Sequence, residues 1–419
     1  MINRLLAAAA ALALAAGAAY AQTEVVVQYP YPDLFNNTMK RISETFAKER
    51  ADIKMTFRAA YKDYEDGTQR VLREAITGDV PDVTFQGLNR VRIFADKGIA
   101  VALDDLFRAE ANPDSAGFDQ AMRAAGTVNG KIYGLPFAIS LPIAFYNVDL
   151  IQKAGGNPER LPVTWDEVIA LAKRINALGD GTYGVSFEWS ITGNWLWQAE
   201  VFRNGGTMVN AHESRVAFDG DAGKAAIRTI ARLVTEAQSP NLSGADMRTA
   251  FAAGKVGVLI TSTAYLNTLT KQVDGKFSIK THVYPGLTPG TSHLPPGGNV
   301  AIITAKTVEK QKAAWEALKF FTGAKGGAIM VETTGYMAPN ARAADLLKDF
   351  YQQNPNQFTA VVQLPYMASW YAFPGENGLK ITDVIKDRLQ SVMDGKRAGE
   401  PERVLADMAA DVNALLPKK

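Results

Sequence analysis

The sequence predicts an α/β fold in which sheets of parallel or mixed strands are covered by helices. Three observations indicate this class: β-rich runs alternate with helical periodicity, glycines close the helices, and the chain is long. It has 419 residues, of which 47% are hydrophobic and 21% charged, a balance that allows substantial cores and argues against bulk disorder. Because a lobe takes ~100–200 residues, we expect two or three lobes.

Repeated strand–helix units open the chain. The three units are Glu24–Gln28 followed by Asp33–Arg50, Ile53–Phe57 followed by Tyr64–Thr77, and Val83–Phe85 followed by Leu88–Lys97. Gly78 and Gly98 stand directly after the second and third helical segments, where glycine commonly ends a helix. Ligands of open α/β sheets bind at the carboxyl ends of strands, so Tyr29, Tyr31 and Gln86 are candidate site residues.

Three further apolar runs contain small or polar residues. These runs are Leu135–Phe145, Val256–Ser262 and Gly297–Ile303. They are either three more core strands or three crossovers between lobes, in which Ser140, Ser262 and Gly298 face a cleft. Periodicity alone does not separate the two interpretations. The C-terminal third is predicted to be mainly helical, with helices at Thr307–Phe321, Val384–Met393 and Pro401–Leu416.

The first 21 residues have the pattern of a secretory signal peptide. Arg4 supplies the basic start, Leu5–Ala19 the apolar region, and Ala19-Tyr20-Ala21 the cleavage site. The apolar run is shorter than the ~20 residues that a membrane span needs, which disfavours an uncleaved anchor. The chain has no cysteine, so a lipid-modified N-terminal cysteine is excluded. We therefore expect export to the periplasm, with cleavage near Ala21.

Composition and missing motifs narrow the function. The formal net charge is +2, and no Lys/Arg cluster is interleaved with aromatic residues, so nucleic acid is not an expected partner. The three histidines lie too far apart for a histidine-built metal site, and no cofactor is expected. No nucleophile elbow, His-Glu-x-x-His or phosphate loop occurs. An enzyme is therefore not expected, although a glycosidase built on two carboxylates remains an alternative.

Aromatic residues cluster in two polar, glycine-containing segments. Phe187–Trp197 contains Trp189, Trp195 and Trp197, and Ser369–Gly378 contains Trp370, Tyr371 and Phe373. An aromatic face beside polar groups suits a sugar ring or a quaternary ammonium group, and filling the core is the alternative for each ring. Trp165, at a helix start, and Trp315, inside a helical apolar pattern, are predicted to be structural.

A set of short motifs stands in a characteristic order along the chain: Thr77–Val83, Gly134–Phe137, Ala144–Asn147, Pro162–Glu167 and Phe251–Gly257. Their order and spacing resemble those of the extracellular solute-binding proteins of ABC importers, in the large family that binds sugars. The resemblance spans nearly the whole mature chain. It implies a two-lobed periplasmic binding protein fold, with a hinge of crossover segments and a ligand cleft between the lobes. The N-terminal lobe is expected at 22–139 plus 264–305, and the C-terminal lobe at 140–263 plus 306–419.

A second set of motifs is more specific: Tyr61–Tyr64, Pro136–Ser140, Gly297-Gly298 and Thr334–Tyr336. These segments are most similar to the subfamily that binds glycerol-3-phosphate and glycerophosphodiesters. The resemblance implies a set of ligand-binding residues: Tyr64, Ser140, Trp189, Ser262, Gly298 and Tyr336. Serine hydroxyls and a glycine N–H can donate hydrogen bonds to phosphate or sugar oxygens.

The chain departs from this subfamily at two positions. The arginine with which the subfamily grips phosphate falls near Thr382, where Lys380 is the nearby cation, and an acidic residue falls near apolar Leu88. Lys380 joins the expected site as a point charge without the fork of an arginine. Further, weaker site candidates are Trp195, Trp370, Tyr371 and Thr382.

The expected function is therefore that of a periplasmic solute-binding component of an ABC importer. It would capture glycerol-3-phosphate, a glycerophosphodiester or a related polar carbohydrate-like solute. A neutral sugar, oligosaccharide or polyol is the alternative, and a secreted carbohydrate-active enzyme is a more distant one. The implied partners are the small-molecule solute and ABC permease subunits in the inner membrane, and we expect the protein to be a monomer.

Overall fold

The computed structural model describes residues 22–112, 114–118 and 120–418. The expected signal peptide lies outside these residues. Among the described residues, no helix is both long enough and apolar enough to span a membrane.

Two mixed sheets organise the described chain. The first sheet has the strand order β2-β1-β3-β11-β6, and the second has the order β10-β7-β9-β8. A short hairpin of β4 and β5 stands apart from both. The strands are β1 (Thr23–Gln28), β2 (Ile53–Phe57), β3 (Val83–Gly87), β4 (Thr127–Val128), β5 (Lys131–Ile132), β6 (Leu135–Ser140), β7 (Pro142–Asn147), β8 (Tyr183–Phe187), β9 (Val256–Ser262), β10 (Ile279–Val283) and β11 (Gly297–Ile303).

Helices cover the faces of both sheets. The α-helices of the described residues are Pro32–Glu49, Tyr64–Thr77, Val91–Asp96, Asp104–Arg108, Gln120–Ala124, Val148–Lys153, Trp165–Asn176, Trp195–Arg203, Asp221–Thr235, Gly244–Ala252, Leu266–Val273, Val308–Thr322, Ala324–Thr333, Ala341–Leu346, Lys348–Gln353, Pro355–Val361, Gly378–Met393 and Pro401–Leu415. Short 3₁₀ turns lie at Leu88–Arg90, Asp114–Ala116, Thr263–Tyr265 and Leu364–Tyr366.

The predicted α/β class is confirmed. The three predicted strands and the first two helices stand within a few residues of their expected positions. The third helix is shorter than expected, because Leu88–Arg90 forms a 3₁₀ turn and the α-helix begins at Val91. Parallel pairing joins β1 to β2 and to β3, as repeated β-α units require.

Local sequence fixes several helix starts. Thr164 caps the helix Trp165–Asn176 in a capping box, since its hydroxyl accepts a bond from the Glu167 N–H while the Glu167 carboxylate accepts one from the Thr164 N–H. Asp63 caps the helix Tyr64–Thr77 by accepting from the Asp66 N–H at 2.8 Å. That cap holds Tyr64 at the first turn, directly beside the pocket described below.

The three apolar runs are core strands at whose ends the chain changes lobe or turns into a helix. β6 belongs to the first sheet and β7 to the second, so the chain crosses between the lobes at Leu141. β9 stays within the second sheet, and its neighbours there are β7 and β8. β11 lies in the first sheet between β3 and β6, so the second crossover runs through residues 284–296.

The structure divides the chain differently from the expected lobe boundaries in two stretches. β10 pairs antiparallel with β7 in the second sheet, although residues 264–305 were expected in the N-terminal lobe. The helices Val308–Thr322 and Ala324–Thr333 pack on the first sheet and on the helix Pro32–Glu49, although they were expected in the C-terminal lobe. The reason is local, because the helix that directly follows β11 covers the sheet to which β11 belongs. The chain returns to the second lobe only near Lys348–Val361.

Candidate functional site

A pocket lies where strands of both sheets end. Its cavity volume is about 20 Å³, far below the ~300–1,000 Å³ of small-molecule sites in proteins, so a solute the size of a sugar requires the lobes to move apart. It is lined by Tyr31, Tyr64, Ser140, Ile191, Thr192, Trp195, Ser262, Ala264, Tyr265, Gly297, Gly298, Tyr336 and Trp370. Five of the six residues implied by the resemblance are in this set, together with three of the weaker candidates.

Strand ends bring the two serines and the glycine pair together. Gly297 in β11 is directly opposite Ser140, the last residue of β6. Ser262, the last residue of β9, is opposite Pro142 at the start of β7. Because a single residue separates β6 from β7, the ends of the two sheets meet at this crossover. The inset residues of the three apolar runs therefore face one pocket.

Gly298 is required by the sheet itself. Its φ is 115°, and a Cβ at this position would lie 1.9 Å from the carbonyl oxygen of Ala138. The pairing of β11 with β6 shifts register directly after it, between Asn299 and Val300. Glycine is thus needed for the close approach of the two strands, whether or not its N–H also meets a ligand.

Four tyrosines form one wall of the pocket. The hydroxyls of Tyr64 and Tyr336 lie 3.2 Å apart, and the Asn299 side-chain amide donates to the Tyr64 hydroxyl at 3.2 Å. Tyr31 meets Tyr64 edge to face, with ring centroids 5.0 Å apart. Burial raises the pKa of the Tyr64, Tyr265 and Tyr336 hydroxyls. These hydroxyls are therefore neutral donors and acceptors rather than anions.

Two tryptophans also line the pocket. Trp195 lies over Gly297, where an added Cβ would be 2.9 Å from its ring, and its Nε1 donates to the Pro295 carbonyl at 3.0 Å. Trp370 lies 6.4 Å from Trp195 between ring centroids. The Trp370 Nε1 is buried and has no hydrogen-bond partner. This N–H would be satisfied by an acceptor atom within the pocket.

No charged side chain is among the residues lining this pocket in the described part of the chain. Two arginines beside lining residues are held in ion pairs. Arg248 lies 3.8 Å from the centroid of the Tyr265 ring and is paired with buried Glu188. Arg90 pairs with Glu65 at 3.3 Å, and burial raises the pKa of the Glu65 carboxyl although Arg90 opposes the shift.

These paired arginines were missed by the sequence analysis, as were Thr192 and Tyr265. Arg248 lies in the helix Gly244–Ala252, which is far from its partner Glu188 in sequence. No local motif marks such a pair. For Thr192 the available signal was its place between two tryptophans in the first aromatic segment.

Trp189 and Lys380 do not line the pocket. Trp189 is 4% exposed, and its Nε1 donates to the Asn241 side chain at 3.3 Å. Lys380 is exposed on the helix Gly378–Met393. The one cation expected to meet a phosphate is thus in solvent.

The remaining weaker candidates also lie outside the pocket lining. The Gln86 side chain is buried in β3 and donates to the Thr84 hydroxyl at 2.8 Å. The Tyr29 hydroxyl donates to Asn36 at 2.7 Å, and the Tyr371 hydroxyl donates to Glu213 at 3.1 Å. Thr382 is buried and donates to the Gly378 carbonyl. Each is occupied by a bond to the protein itself.

Trp165 and Trp315 are core residues, as predicted. Trp165 is 5% and Trp315 3% exposed. The Trp165 Nε1 donates to buried Glu200 at 2.9 Å, and the Trp315 Nε1 to Glu110 at 2.7 Å. No group of three or more His, Cys, Asp or Glu side chains within the described ranges could hold a metal ion.

Two mixed sheets joined by crossovers, with a pocket of aromatic rings and hydroxyls where they meet, define a two-lobed binding protein. The chain belongs to the family of bacterial extracellular solute-binding proteins, whose family model matches residues 41–360. One curated relative is the sn-glycerol-3-phosphate-binding periplasmic protein UgpB of Rhizobium meliloti. It is 23% identical over 301 residues, which cover 67% of this chain and 69% of the relative. This relative and the matched family are solute-binding proteins, not enzymes.

Solved structures show the same fold. UgpB from Mycobacterium tuberculosis in complex with glycerophosphocholine has a TM-score of 0.82 and 22% identity, and the match covers 93% of this chain and 97% of that one. An ABC substrate-binding protein from Listeria monocytogenes in complex with cycloalternan has a TM-score of 0.81 and 19% identity, with coverages of 94% and 99%. The two-lobed fold predicted from the sequence is therefore confirmed.

Proposed function

We propose that this protein is the periplasmic solute-binding component of an ABC importer, and that it captures a small neutral polyhydroxylated solute, such as a sugar or polyol, between its lobes. The observation that carries the proposal is the uncharged pocket wall, built from aromatic rings, hydroxyls and a glycine pair. A neutral ligand fits this wall better than a charged one, because burying a charge without a partner there is energetically unfavourable.

The chemistry of the wall suits a sugar or polyol. Tryptophan and tyrosine faces can pack on the C–H face of a sugar ring, while hydroxyl and amide groups meet its oxygens. Ser140 and Ser262 stand at the ends of β6 and β9, one from each sheet. A ligand touching Tyr64 of the first lobe and Thr192 of the second would favour the arrangement in which the lobes are together.

A phosphate-bearing solute is the second candidate. The relatives named UgpB favour it, as does the helix Trp195–Arg203, which begins at the pocket with no side-chain cap on its first N–H groups. A helix N-terminus favours negative charge by about 0.3–1 kcal/mol. Lys380 is too exposed to add to this, and Arg248 and Arg90 are already paired. The glycerol-3-phosphate assignment implied by the resemblance thus loses its expected cation.

The remaining parts of the proposal follow from the class of protein. The implied partners are permease subunits in the inner membrane, and the lobes would close on the solute by hinge bending at the crossovers. Export would depend on the predicted signal peptide. We propose that the protein acts as a monomer.

Calorimetric titration of the purified mature protein with four probes tests the ligand class. The probes are D-tagatose, maltose, sn-glycerol-3-phosphate and glycerophosphocholine. A neutral probe should bind, and at 100 times its Kd it should stabilise the protein by about 2.7 kcal/mol. Lys380→Ala is the matched control and should leave every affinity unchanged. Tight binding of the phosphate probes alone would contradict the neutral assignment, and turnover of any probe would contradict a binding protein.

A further inference from the structure

Thr192 has a backbone conformation that its side chain disfavours. Its φ is 48°, in the left-handed region, where a β-branched residue is a genuine outlier. Glycine or asparagine would adopt this conformation at lower cost. A strained residue of this kind persists only where the surrounding structure determines its position, and such residues concentrate at ligand clamps and other functional sites.

Hydrogen bonds and packing within the loop around Thr192 hold this residue in its left-handed conformation. Backbone bonds run from the Ile191 N–H to the Glu188 carbonyl, from Gly193 to Ser190, and from Asn194 to Thr192, at 2.9–3.1 Å. Gly193 is also left-handed, with a φ of 79°, and a Cβ there would lie 2.5 Å from a methyl carbon of Thr382. The loop is thus pinned against the start of the helix Gly378–Met393.

The Thr192 hydroxyl is held in the pocket lining without a partner. Its Oγ1 is buried and makes no hydrogen bond. The Nε1 of Trp370, which lines the same pocket, is also buried and unpaired. A buried unpaired polar group destabilises the protein by about 1–3 kcal/mol, so two such groups at one pocket indicate a partner that is bound during function.

We propose that Thr192 and Trp370 are the specificity-determining contacts that the C-terminal lobe makes with the solute. This inference rests on the proposed function and deepens it. The Trp370 N–H can only donate, so it requires an acceptor oxygen, whereas the Thr192 hydroxyl can donate or accept. A sugar hydroxyl or ring oxygen satisfies both. The pair therefore selects for an oxygen-rich ligand over an apolar one that fits the same space.

Thr192→Val removes the hydroxyl and retains both shape and β-branching. Calorimetry with whichever of the four probes binds most tightly to the native protein should show about 3- to 10-fold weaker binding, the equivalent of one hydrogen bond. Thr192→Ser keeps the hydroxyl and should bind within about 2-fold of the native protein. Trp370→Phe removes the second donor while keeping a ring, and should weaken binding to a similar extent.

Thr235→Val is the matched control. The Thr235 hydroxyl already bonds the Ala231 carbonyl at 3.0 Å within the helix Asp221–Thr235, so its loss should leave the affinity unchanged. Native affinity in both Thr192→Val and Trp370→Phe, with the native protein binding a probe, would overturn this inference alone. Failure of all four probes to bind the native protein would overturn the proposed function and this inference with it. Thermal unfolding of each variant shows that the fold is intact.

Discussion

Reversing the charge of Arg92 should weaken ligand binding from a distance. Arg92 lies in the helix Val91–Asp96 of the N-terminal lobe, and it pairs with Glu213, in a turn of the C-terminal lobe. The two guanidinium Nη atoms lie 3.2–3.4 Å from the Glu213 carboxylate oxygens, and the Tyr371 hydroxyl donates to the same carboxylate at 3.1 Å. This ion pair joins the two lobes outside the pocket.

The magnitude follows from exposure and geometry. The side chains of Arg92 and Glu213 are 40% and 33% exposed, so solvent screens the pair. Exposed pairs contribute about 0.2–1 kcal/mol, and two-pronged arginine–carboxylate contacts lie near the upper limit. If the pair forms only when the lobes are together, Arg92→Glu should remove about 1 kcal/mol from the closed state, or about 5-fold in Kd. Added salt should reduce the difference in Kd between Arg92→Glu and the native protein.

A charge-swap cycle measured by titration calorimetry provides the test. Arg92→Glu and Glu213→Arg should each weaken binding, and the double exchange should restore most of the loss. Arg228 and Glu402 are a matched control, because they form a pair of 2.7 Å within the C-terminal lobe, with 54% and 51% exposure. Exchanging them should leave Kd unchanged. A role in closure would be refuted if the Arg228–Glu402 exchange weakened binding as much as the Arg92 or Glu213 reversals, or if the Arg92–Glu213 double exchange did not restore binding.

Four other outcomes are expected. Trp315→Ala should lower the free energy of unfolding by about 3–5 kcal/mol in chemical denaturation, and a loss below 1 kcal/mol would show that the ring is not a core element. Trp189→Ala should lower the free energy of unfolding by a similar amount, since the ring is buried outside the pocket. Native stability together with lost probe binding would instead show that Trp189 contacts the ligand. Gly298→Ala should prevent native pairing of β11 with β6, seen as loss of cooperative thermal unfolding, because its Cβ would collide with Ala138. Trp195→Ala should abolish most probe binding, as its ring forms one wall, and native affinity would contradict that role.

Much of the fold could be predicted because its signals are local. Alternating β-rich and helical segments placed β1 to β3 and their helices, since strand and helix periods differ along a few residues. The lobe boundaries could not be predicted as well. Whether β10 joins the first or the second sheet depends on pairing with β7, more than 130 residues away. No pattern within Ile279–Val283 specifies that partner.

The candidate site was partly predictable for the same reason. Ser140, Ser262 and Gly298 interrupt apolar strands, a local irregularity that is visible in sequence. Trp189 was placed in the cleft because it stands in a polar aromatic loop, yet that loop turns Thr192 rather than Trp189 into the pocket. Residues 192 and 193 are both left-handed. A threonine in this conformation has no distinctive sequence signature.

The charge of the ligand and the closure of the lobes are linked by the way the pocket is built. Its polar groups come from both lobes, since Tyr64 begins a helix of the first lobe and Thr192 follows β8 of the second, so a solute can contact both only when the lobes meet. Arg248 and Arg90, which lie beside lining residues, are each paired with a carboxylate of their own lobe. Closing the lobes on an anion would therefore bury a charge for which the pocket lining offers no free side-chain cation, which is energetically unfavourable. Closing them on a neutral solute buries no such charge. Selectivity for a neutral ligand would then arise from the closing step itself, because an anionic competitor of the same shape could occupy the open cleft but would stabilise the closed state less.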